Sequence, residues 1–172
     1  MQVQAGISED EYLQSTYDPD CELVDGQLLE RNGGEREHSI LQRELIFFFR
    51  ARRMEWKVQC YPEQRVRVTA RRYRIPDVCV YREPAPRDKV FSFPPFIAIE
   101  ILSDEDRMSR VRVKIDDYLQ MGVPYVWIID PDTRKADVYT PAGFYEAKDG
   151  FLRTADPQIE LELSTLFQAL DE

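Results

Sequence analysis

Residues 96–102 read Phe-Ile-Ala-Ile-Glu-Ile-Leu, an apolar run that contains a single acid at Glu100. A continuous apolar run of this length is typical of a strand that is buried on both faces of a sheet. A second such run, Tyr-Val-Trp-Ile-Ile-Asp, occupies residues 125–130. Because a helix is expected between the two runs, they predict a right-handed βαβ unit with parallel strands.

The segment between the two runs carries the signals of that helix. Ser103 and Asp106 have the spacing of a capping box, which marks a helix N-terminus. An apolar stripe at helical spacing follows, made of Val111, Ile115, Tyr118 and Met121. Gly122 is the expected residue just after the helix, and Pro124 prevents the helix from continuing.

The remaining chain predicts more strands and a second long helix. Asp25-Gly26 between apolar residues indicates a hairpin. Residues 36–53 have helical periodicity, with a core-facing stripe. Residues 57–69 and 74–81 alternate like the two strands of one hairpin, with its turn at residues 70–73.

A short capped helix at residues 8–16 and a strand at residues 136–139 complete the predicted elements. Asn32-Gly33-Gly34 is expected to interrupt regular structure. The order of elements predicts an α/β fold, with a mixed central sheet flanked by two main helices and an N-terminal hairpin. The length of 172 residues predicts a single domain over residues 1–172.

Composition excludes several classes of protein. With 43% hydrophobic and 32% charged residues, the chain is expected to be globular. No apolar run reaches the roughly 18 residues of a membrane span, and the first six residues do not resemble a signal peptide. Cys21, Cys60 and Cys79 form no C-x-x-C pair, so neither a disulfide framework nor a zinc site is expected. We therefore expect a cytoplasmic protein with reduced thiols and no membrane partner.

Charge is distributed unevenly along the chain. The net charge is −9, which by itself argues against nucleic acid as a partner. Residues 31–74, however, contain twelve Lys or Arg and five Glu, whereas residues 1–30 and 156–172 contain acids and no Lys or Arg. The basic segment either attracts a polyanion to one face or is an ordinary solvated surface.

Three charged residues occupy positions where apolar residues are expected. Asp77 follows Pro76 in an apolar segment, Glu100 lies within the most apolar strand, and Lys114 lies beside the apolar stripe of its helix. Each has a structural interpretation: Asp77 braces a turn, Glu100 pairs with an arginine, or Lys114 extends along apolar surface. Together they predict one site, because a buried carboxylate needs a partner.

Such a site suits metal-dependent phosphodiester hydrolysis. Two convergent carboxylates favour Mg²⁺ or Mn²⁺, and a nearby lysine orients water or stabilises negative charge. We expect the Lys114 ammonium within roughly 6 Å of the Asp77 or Glu100 carboxylate. We also expect perturbed carboxylate pKa values and a cluster that opens to a cleft.

The chain resembles the Uma2 family, a branch of the PD-(D/E)xK restriction-endonuclease-like superfamily, over residues 20–140. The resemblance rests on these stretches: Glu22-Leu23-Val24-Asp25-Gly26, Glu37-His38-Ser39, Arg74-Ile75-Pro76-Asp77-Val78, Ile99-Glu100-Ile101-Leu102-Ser103, Lys114, Tyr118, Gly122-Val123-Pro124-Tyr125 and Trp127-Ile128-Ile129-Asp130-Pro131. It implies a restriction-endonuclease-like core and a DNA substrate.

The resemblance also implies roles for individual residues. Asp77 and Glu100 correspond to the metal-binding acids of the superfamily, and the Ile101 carbonyl is implied as a further metal ligand. The superfamily lysine would fall at Leu102, and the family resemblance assigns it to Lys114 on the following helix instead.

His38 is the only histidine and lies at the start of the first long helix. From the residues alone it is either a half-buried structural histidine or a site residue. The resemblance implies an accessory catalytic residue that positions water or contacts the scissile phosphate. Glu22 is a weaker candidate, for which structural bracing is the expected role.

The sequence thus predicts a metal-dependent endonuclease acting on DNA. Two other classes stay open: a degenerate domain that binds DNA or protein without cutting, and a homodimer assembled through residues 46–49 and Trp127. Asp77, Glu100 and Lys114 favour the nuclease, and the net acidity favours the degenerate binding domain. An effect of Mg²⁺ or Mn²⁺ on melting temperature would separate the nuclease from the other two.

Overall fold

The computed structural model describes residues 3–31, 34–104 and 106–172, so Asn32 and Gly33 of the predicted interruption lie outside the described residues. The helices are α1 (Glu9–Gln14), α2 (Arg36–Ala51), α3 (Arg53–Trp56), α4 (Met108–Met121) and α5 (Leu163–Gln168). The strands are β1 (Val3–Ala5), β2 (Cys21–Val24), β3 (Gln27–Glu30), β4 (Val58–Pro62), β5 (Val66–Thr69), β6 (Arg72–Arg74), β7 (Val78–Arg82), β8 (Ile97–Ile101), β9 (Tyr125–Asp130), β10 (Lys135–Thr140), β11 (Gly143–Glu146), β12 (Phe151–Thr154) and β13 (Ile159–Glu162).

The central sheet is mixed, as predicted. Its strand order is β11-β10-β9-β8-β7-β4, in which β8 and β9 are parallel and the other neighbours are antiparallel. Helix α4 connects β8 to β9, so the predicted strand–helix–strand unit with parallel strands is confirmed. Both strands are almost fully buried, which explains why their sequences are continuously apolar.

A smaller sheet, with the order β1-β3-β2-β6-β5, contains the predicted N-terminal hairpin. Asp25 and Gly26 form its turn, both at positive φ. The predicted two-strand hairpin of residues 57–69 and 74–81 is wrong in one respect. Each strand is interrupted, so that β5 and β6 pair in the small sheet while β4 and β7 pair in the central sheet.

The two interruptions lie opposite each other. Pro76 cannot donate a backbone hydrogen bond, and Glu63 has a left-handed conformation at φ 49°. The Glu63 N–H donates to the Asp77 carbonyl at 3.2 Å and ties the two breaks together. Asp77 therefore lies in the gap between two sheets, and the expectation that it lies inside a strand segment is wrong.

The two main helices pack on opposite faces of the central sheet. Along β8, Ile97, Ile99 and Ile101 share a core with α2, whereas Ala98 belongs to the core beneath α4. Because side chains alternate along a strand, Glu100 points to the α4 face. Of the predicted α2 stripe of Leu41, Leu45, Phe48 and Phe49, Phe48 is half-buried against the core and the other three are fully buried.

The capping-box prediction for α4 is wrong in position. The Asp106 carboxylate does accept the backbone N–H of Ser103 at 2.8 Å and its hydroxyl at 3.0 Å, but this closes a separate turn. The helix begins at Met108, with Arg107 at the N-cap, and ends as predicted at Gly122 with φ 101°.

Residues 143–171 add β11, a β12–β13 hairpin and α5, which the sequence analysis did not predict. Leu152, Leu161 and Phe167 from this segment join the core on the α2 face. None of the helices among the described residues is long and apolar enough to cross a membrane. Trp127 is fully buried in the same core, which contradicts the hypothesis that it serves assembly.

Candidate active site

Glu100 is a carboxylate in the core, 6% exposed, on the α4 face of β8. The Tyr118 hydroxyl donates to its Oε1 at 2.5 Å, and the Lys114 ammonium donates to its Oε2 at 3.0 Å. Lys114 and Tyr118 are four residues apart, so one face of α4 presents both donors. Burial raises the pKa of Glu100 to about 7, with nearby Asp77 and Glu22 adding to the rise and Lys114 opposing it.

Lys114 bridges two acids. Its Nζ lies 3.0 Å from Glu100 Oε2 and 3.3 Å from Glu22 Oε1, and its side chain is 23% exposed. Burial lowers the pKa of the ammonium, but the carboxylates of Glu100, Glu22 and Asp77 outweigh it, so the net shift is upward. The expected distance of roughly 6 Å or less between Lys114 and a site carboxylate is confirmed.

Asp77 reaches the same place from the neighbouring strand. Because Val78 pairs with Ile99, Asp77 comes beside Glu100 at the end of the pairing. Its Oδ1 accepts Arg31 Nη2 at 2.9 Å and lies 3.2 Å from His38 Nε2, and its Oδ2 accepts the Ile101 N–H at 2.7 Å. Burial would raise the pKa of Asp77, but His38, Lys114 and Arg31 hold it below its usual range.

His38 lies in the first turn of α2 with its side chain 14% exposed. The hydrogen bond to Asp77 raises the pKa of the imidazole above its ordinary value, although burial opposes the rise. The structure thus brings His38 to the site that the resemblance implies. Its catalytic role stays a prediction.

Ile101 contributes its backbone N–H to the site, through the bond to Asp77. This contact fixes the Asp77 carboxylate against the end of β8. The role of its carbonyl as a metal ligand stays a prediction.

Glu22, Arg74 and Asp117 form a buried ion network behind the site, and each is at most 3% exposed. Arg74 donates from Nη1 to Glu22 Oε2 at 2.8 Å and from Nε to Asp117 Oδ2 at 2.8 Å. The pKa of Glu22 is lowered, because Lys114 and Arg74 overcome the effect of burial. Structural bracing, the expected role of Glu22, fits these contacts, and Glu22 also contacts Lys114 directly.

Sequence analysis missed Asp117 and Arg31 as members of the site. Asp117 follows Lys114 by three residues on α4, a spacing that places both side chains on adjacent positions of one helix face. Its neighbour Asp116 is exposed, and nothing in the sequence distinguishes this exposed acid from the buried Asp117. Arg31 directly follows β3, and no periodicity marks its side chain as buried.

These residues line one open cleft with a cavity volume of about 110 Å³. Its floor contains Asp77, Glu100, Lys114, Glu22 and His38. Its rim carries both signs of charge, from Arg31, Arg107, Arg110, Glu30, Glu63 and Asp106. The expectations of perturbed carboxylate pKa values and of a cluster that opens to a cleft are both confirmed.

Much of the basic segment 31–74 pairs with acids inside the protein. Arginines of β5, β6 and the preceding loop contact acids of the N-terminal segment, in the pairs Arg65–Asp20, Arg67–Glu9, Arg72–Asp25 and Arg74–Glu22. The acidic N-terminal region and the basic centre therefore compensate each other across the small sheet. These ion pairs reduce the surplus of positive charge that residues 31–74 can present to a polyanion.

The donor chemistry of the cleft fits a hard divalent cation. A carboxylate has about four lone-pair positions, and among the described residues three donors contact Asp77 and two contact Glu100. Acceptor positions thus remain on both carboxylates. Within the described part of the chain no group of three or more His, Cys, Asp or Glu has the arrangement of a metal site. A cation in the cleft would therefore have Asp77 and Glu100 as its candidate side-chain ligands.

The fold matches that of a solved structure described as a "putative nuclease belonging to DUF820" from Anabaena variabilis ATCC 29413. The TM-score is 0.82 at 23% sequence identity, over 95% of this chain and 99% of the other. Residues 9–170 match the model of the Uma2 family, which is described as "Putative restriction endonuclease". The chain therefore belongs to the Uma2 family, as the resemblance implied. No curated protein matches it.

Proposed function

We propose that this protein is a Mg²⁺- or Mn²⁺-dependent endonuclease that hydrolyses phosphodiester bonds of DNA. The observation that carries the proposal is the contact of the Lys114 ammonium with Glu100 at 3.0 Å, in a cleft that also holds Asp77. Membership of a family described as "Putative restriction endonuclease" supports the same class of reaction. Burying the carboxylates costs free energy that pairing with the half-buried Lys114 ammonium partly offsets.

Asp77 and Glu100 would hold the divalent cation, with the Ile101 carbonyl as the further ligand that the family resemblance implies. A bound cation of this kind polarises a phosphate oxygen and lowers the pKa of a coordinated water. The Ile101 N–H holds the Asp77 carboxylate, and Tyr118 and Lys114 hold the Glu100 carboxylate, before any ligand arrives. Preorganisation of this kind avoids reorganisation during the reaction.

Lys114 orients the attacking water or stabilises the negative charge that develops on the phosphate. Its second contact, to Glu22 at 3.3 Å, holds the ammonium at the cleft when Glu100 turns to another partner. Tyr118 fixes the other oxygen of Glu100. His38, which lies beside Asp77, would act as an accessory donor to the scissile phosphate.

The test is cleavage of supercoiled plasmid DNA with Mg²⁺ or Mn²⁺, with and without a chelator. Asp77→Asn and Glu100→Gln should each lose at least about a hundredfold in rate, because each removes one charge from the metal site. Asp137→Asn is the matched control, since Asp137 lies on β10 and does not line the cleft. Its rate should equal that of the wild type.

Cleavage that survives chelation, or that survives either site substitution, would overturn the proposal. Binding of DNA without any cleavage would instead support the degenerate, binding-only alternative. Parallel reactions with single-stranded DNA and with RNA define the class of substrate.

A further inference from the structure

Arg31 is a half-buried arginine that contacts Asp77 in the cleft. It directly follows β3, and its backbone N–H donates to the Asp20 carbonyl at 3.0 Å, which fixes its position beside the cleft. Its side chain is 15% exposed. Nη2 contacts Asp77 Oδ1 at 2.9 Å, while Nη1 lies 3.5 Å from Glu63 Oε1 at the rim.

These contacts involve Oδ1 of Asp77, which is one of the expected metal ligands. Asp77 Oδ1 has two lone pairs, and Arg31 and His38 both point a nitrogen at it. A cation that binds through this oxygen must displace one of the two. Arg31 carries a permanent charge, so it opposes a second cation there both by occupying the oxygen and by repulsion.

Arg31 also has a route out of this contact. Glu63, its second partner, is 53% exposed and lies at the mouth of the cleft, so the guanidinium already extends towards solvent. A guanidinium matches the two oxygens of a phosphate with two parallel hydrogen bonds. A nucleic-acid phosphate entering the cleft would therefore offer Arg31 a better partner than the exposed Glu63.

We infer that Arg31 stands in for the divalent cation at Asp77 and moves to a substrate phosphate when the cation binds. This inference rests on the proposed function. Arg31 then couples the two binding events, so that phosphate binding raises the affinity for the metal and metal binding raises the affinity for the phosphate. By linkage, a phosphate diester that captures Arg31 must tighten the binding of the metal by the same factor by which the metal tightens the phosphate.

The test measures Mn²⁺ affinity by calorimetry, without nucleic acid, for wild type, Arg31→Gln and Arg43→Gln. Arg43 is an exposed arginine of α2 paired with Glu44, so its variant has the same change in net charge away from the cleft. Arg31→Gln should bind Mn²⁺ about tenfold more tightly than wild type, because a competing unit charge is gone. Arg43→Gln should stay within about twofold of wild type, since screened distant charges matter little.

A second arm adds dimethyl phosphate, a simple phosphate diester. It should tighten Mn²⁺ binding about fivefold in wild type and in Arg43→Gln, but not in Arg31→Gln. Should Arg31→Gln not fold by circular dichroism, Arg31→Met replaces it. Methionine also removes the unit charge, so this variant should bind Mn²⁺ about tenfold more tightly than wild type.

Wild type that binds Mn²⁺ no less tightly than the Arg31 variant would overturn the inference and leave the metal site standing. Equal enhancement by dimethyl phosphate in wild type and Arg31→Gln would overturn it as well. Absence of Mn²⁺ binding in both proteins would instead refute the metal-dependent function on which the inference rests.

Discussion

Replacing Glu100 with glutamine measures the electrostatic cost of keeping a carboxylate in the cleft. Burial, together with Asp77 and Glu22, raises the pKa of Glu100 from 4.5 to about 7 in the folded protein. The difference of about 2.5 pH units corresponds to about 3 kcal/mol, at about 1.4 kcal/mol per unit. Glutamine resembles the protonated acid, so Glu100→Gln should remove this cost.

The gain in stability depends on pH. The folded protein holds the Glu100 proton more tightly than the unfolded chain, so this group's contribution is fully present below pH 4.5 and is lost as the pH rises to about 7. Glu100→Gln should therefore match wild type near pH 4.5. At about pH 8 it should be more stable by about 3 kcal/mol, or about 6–12 °C in melting temperature.

The assay is urea unfolding followed by circular dichroism in the presence of a chelator, at both pH values. Other acids titrate in the same range, so the quantity to compare is the difference between variant and wild type at each pH. Glu55→Gln, on the exposed side of α3, is the matched control and should show no such gain. A gain in stability that is absent at high pH, or that is equal at both pH values, would show that the ionisation of Glu100 does not destabilise the fold.

Three further predictions concern the packing and the site. Arg74→Met should cost about 3–5 kcal/mol in urea unfolding, because it removes the buried cation that lies between the carboxylates of Glu22 and Asp117, whereas the surface change Arg153→Met should leave stability close to wild type. Tyr118→Phe removes a hydrogen bond that lowers the pKa of Glu100, so the acid limb of the pH–rate profile of cleavage should move to higher pH; an unchanged profile would contradict the assignment. Leu45→Ala should cost about 2–5 kcal/mol by leaving a cavity beneath α2, and a smaller loss would show that the core collapses around it.

The central part of the fold could be predicted because its signals are local. Ile97 to Ile101 is apolar except at Glu100, and the run from Tyr125 is apolar up to Asp130, since both faces of these strands are buried. Gly122 ends its helix in a left-handed conformation that favours glycine. In these segments a few neighbouring residues determine the local structure.

Other parts depend on contacts between distant segments. The hairpin around Ala70 divides between two sheets because Pro76 and Glu63 interrupt both strands at the same level, and sequence alternation alone does not show that they meet. The Ser103–Asp106 contact has the spacing of a helix cap but closes only a turn.

The site itself was predictable only where a charge interrupts an apolar pattern. Glu100 and Lys114 stand out in this way, so their proximity followed from the predicted βαβ unit. Arg31 and Asp117 lie among polar neighbours in the sequence, and each is held by a partner of opposite charge far along the chain: Asp77, 46 residues from Arg31, and Arg72, 45 residues from Asp117. Pairing across that distance leaves no local signal.

The proposed function requires that Asp77 and Glu100 hold one divalent cation between them. An anomalous difference map from a crystal of the protein grown with MnCl₂ would locate such an ion. We expect a peak in the cleft within about 2.0–2.3 Å of an oxygen of each carboxylate, in the range of hard-cation contacts to oxygen ligands. A cleft without such a peak, in a protein that binds Mn²⁺ elsewhere, would show that the two carboxylates do not form the metal site.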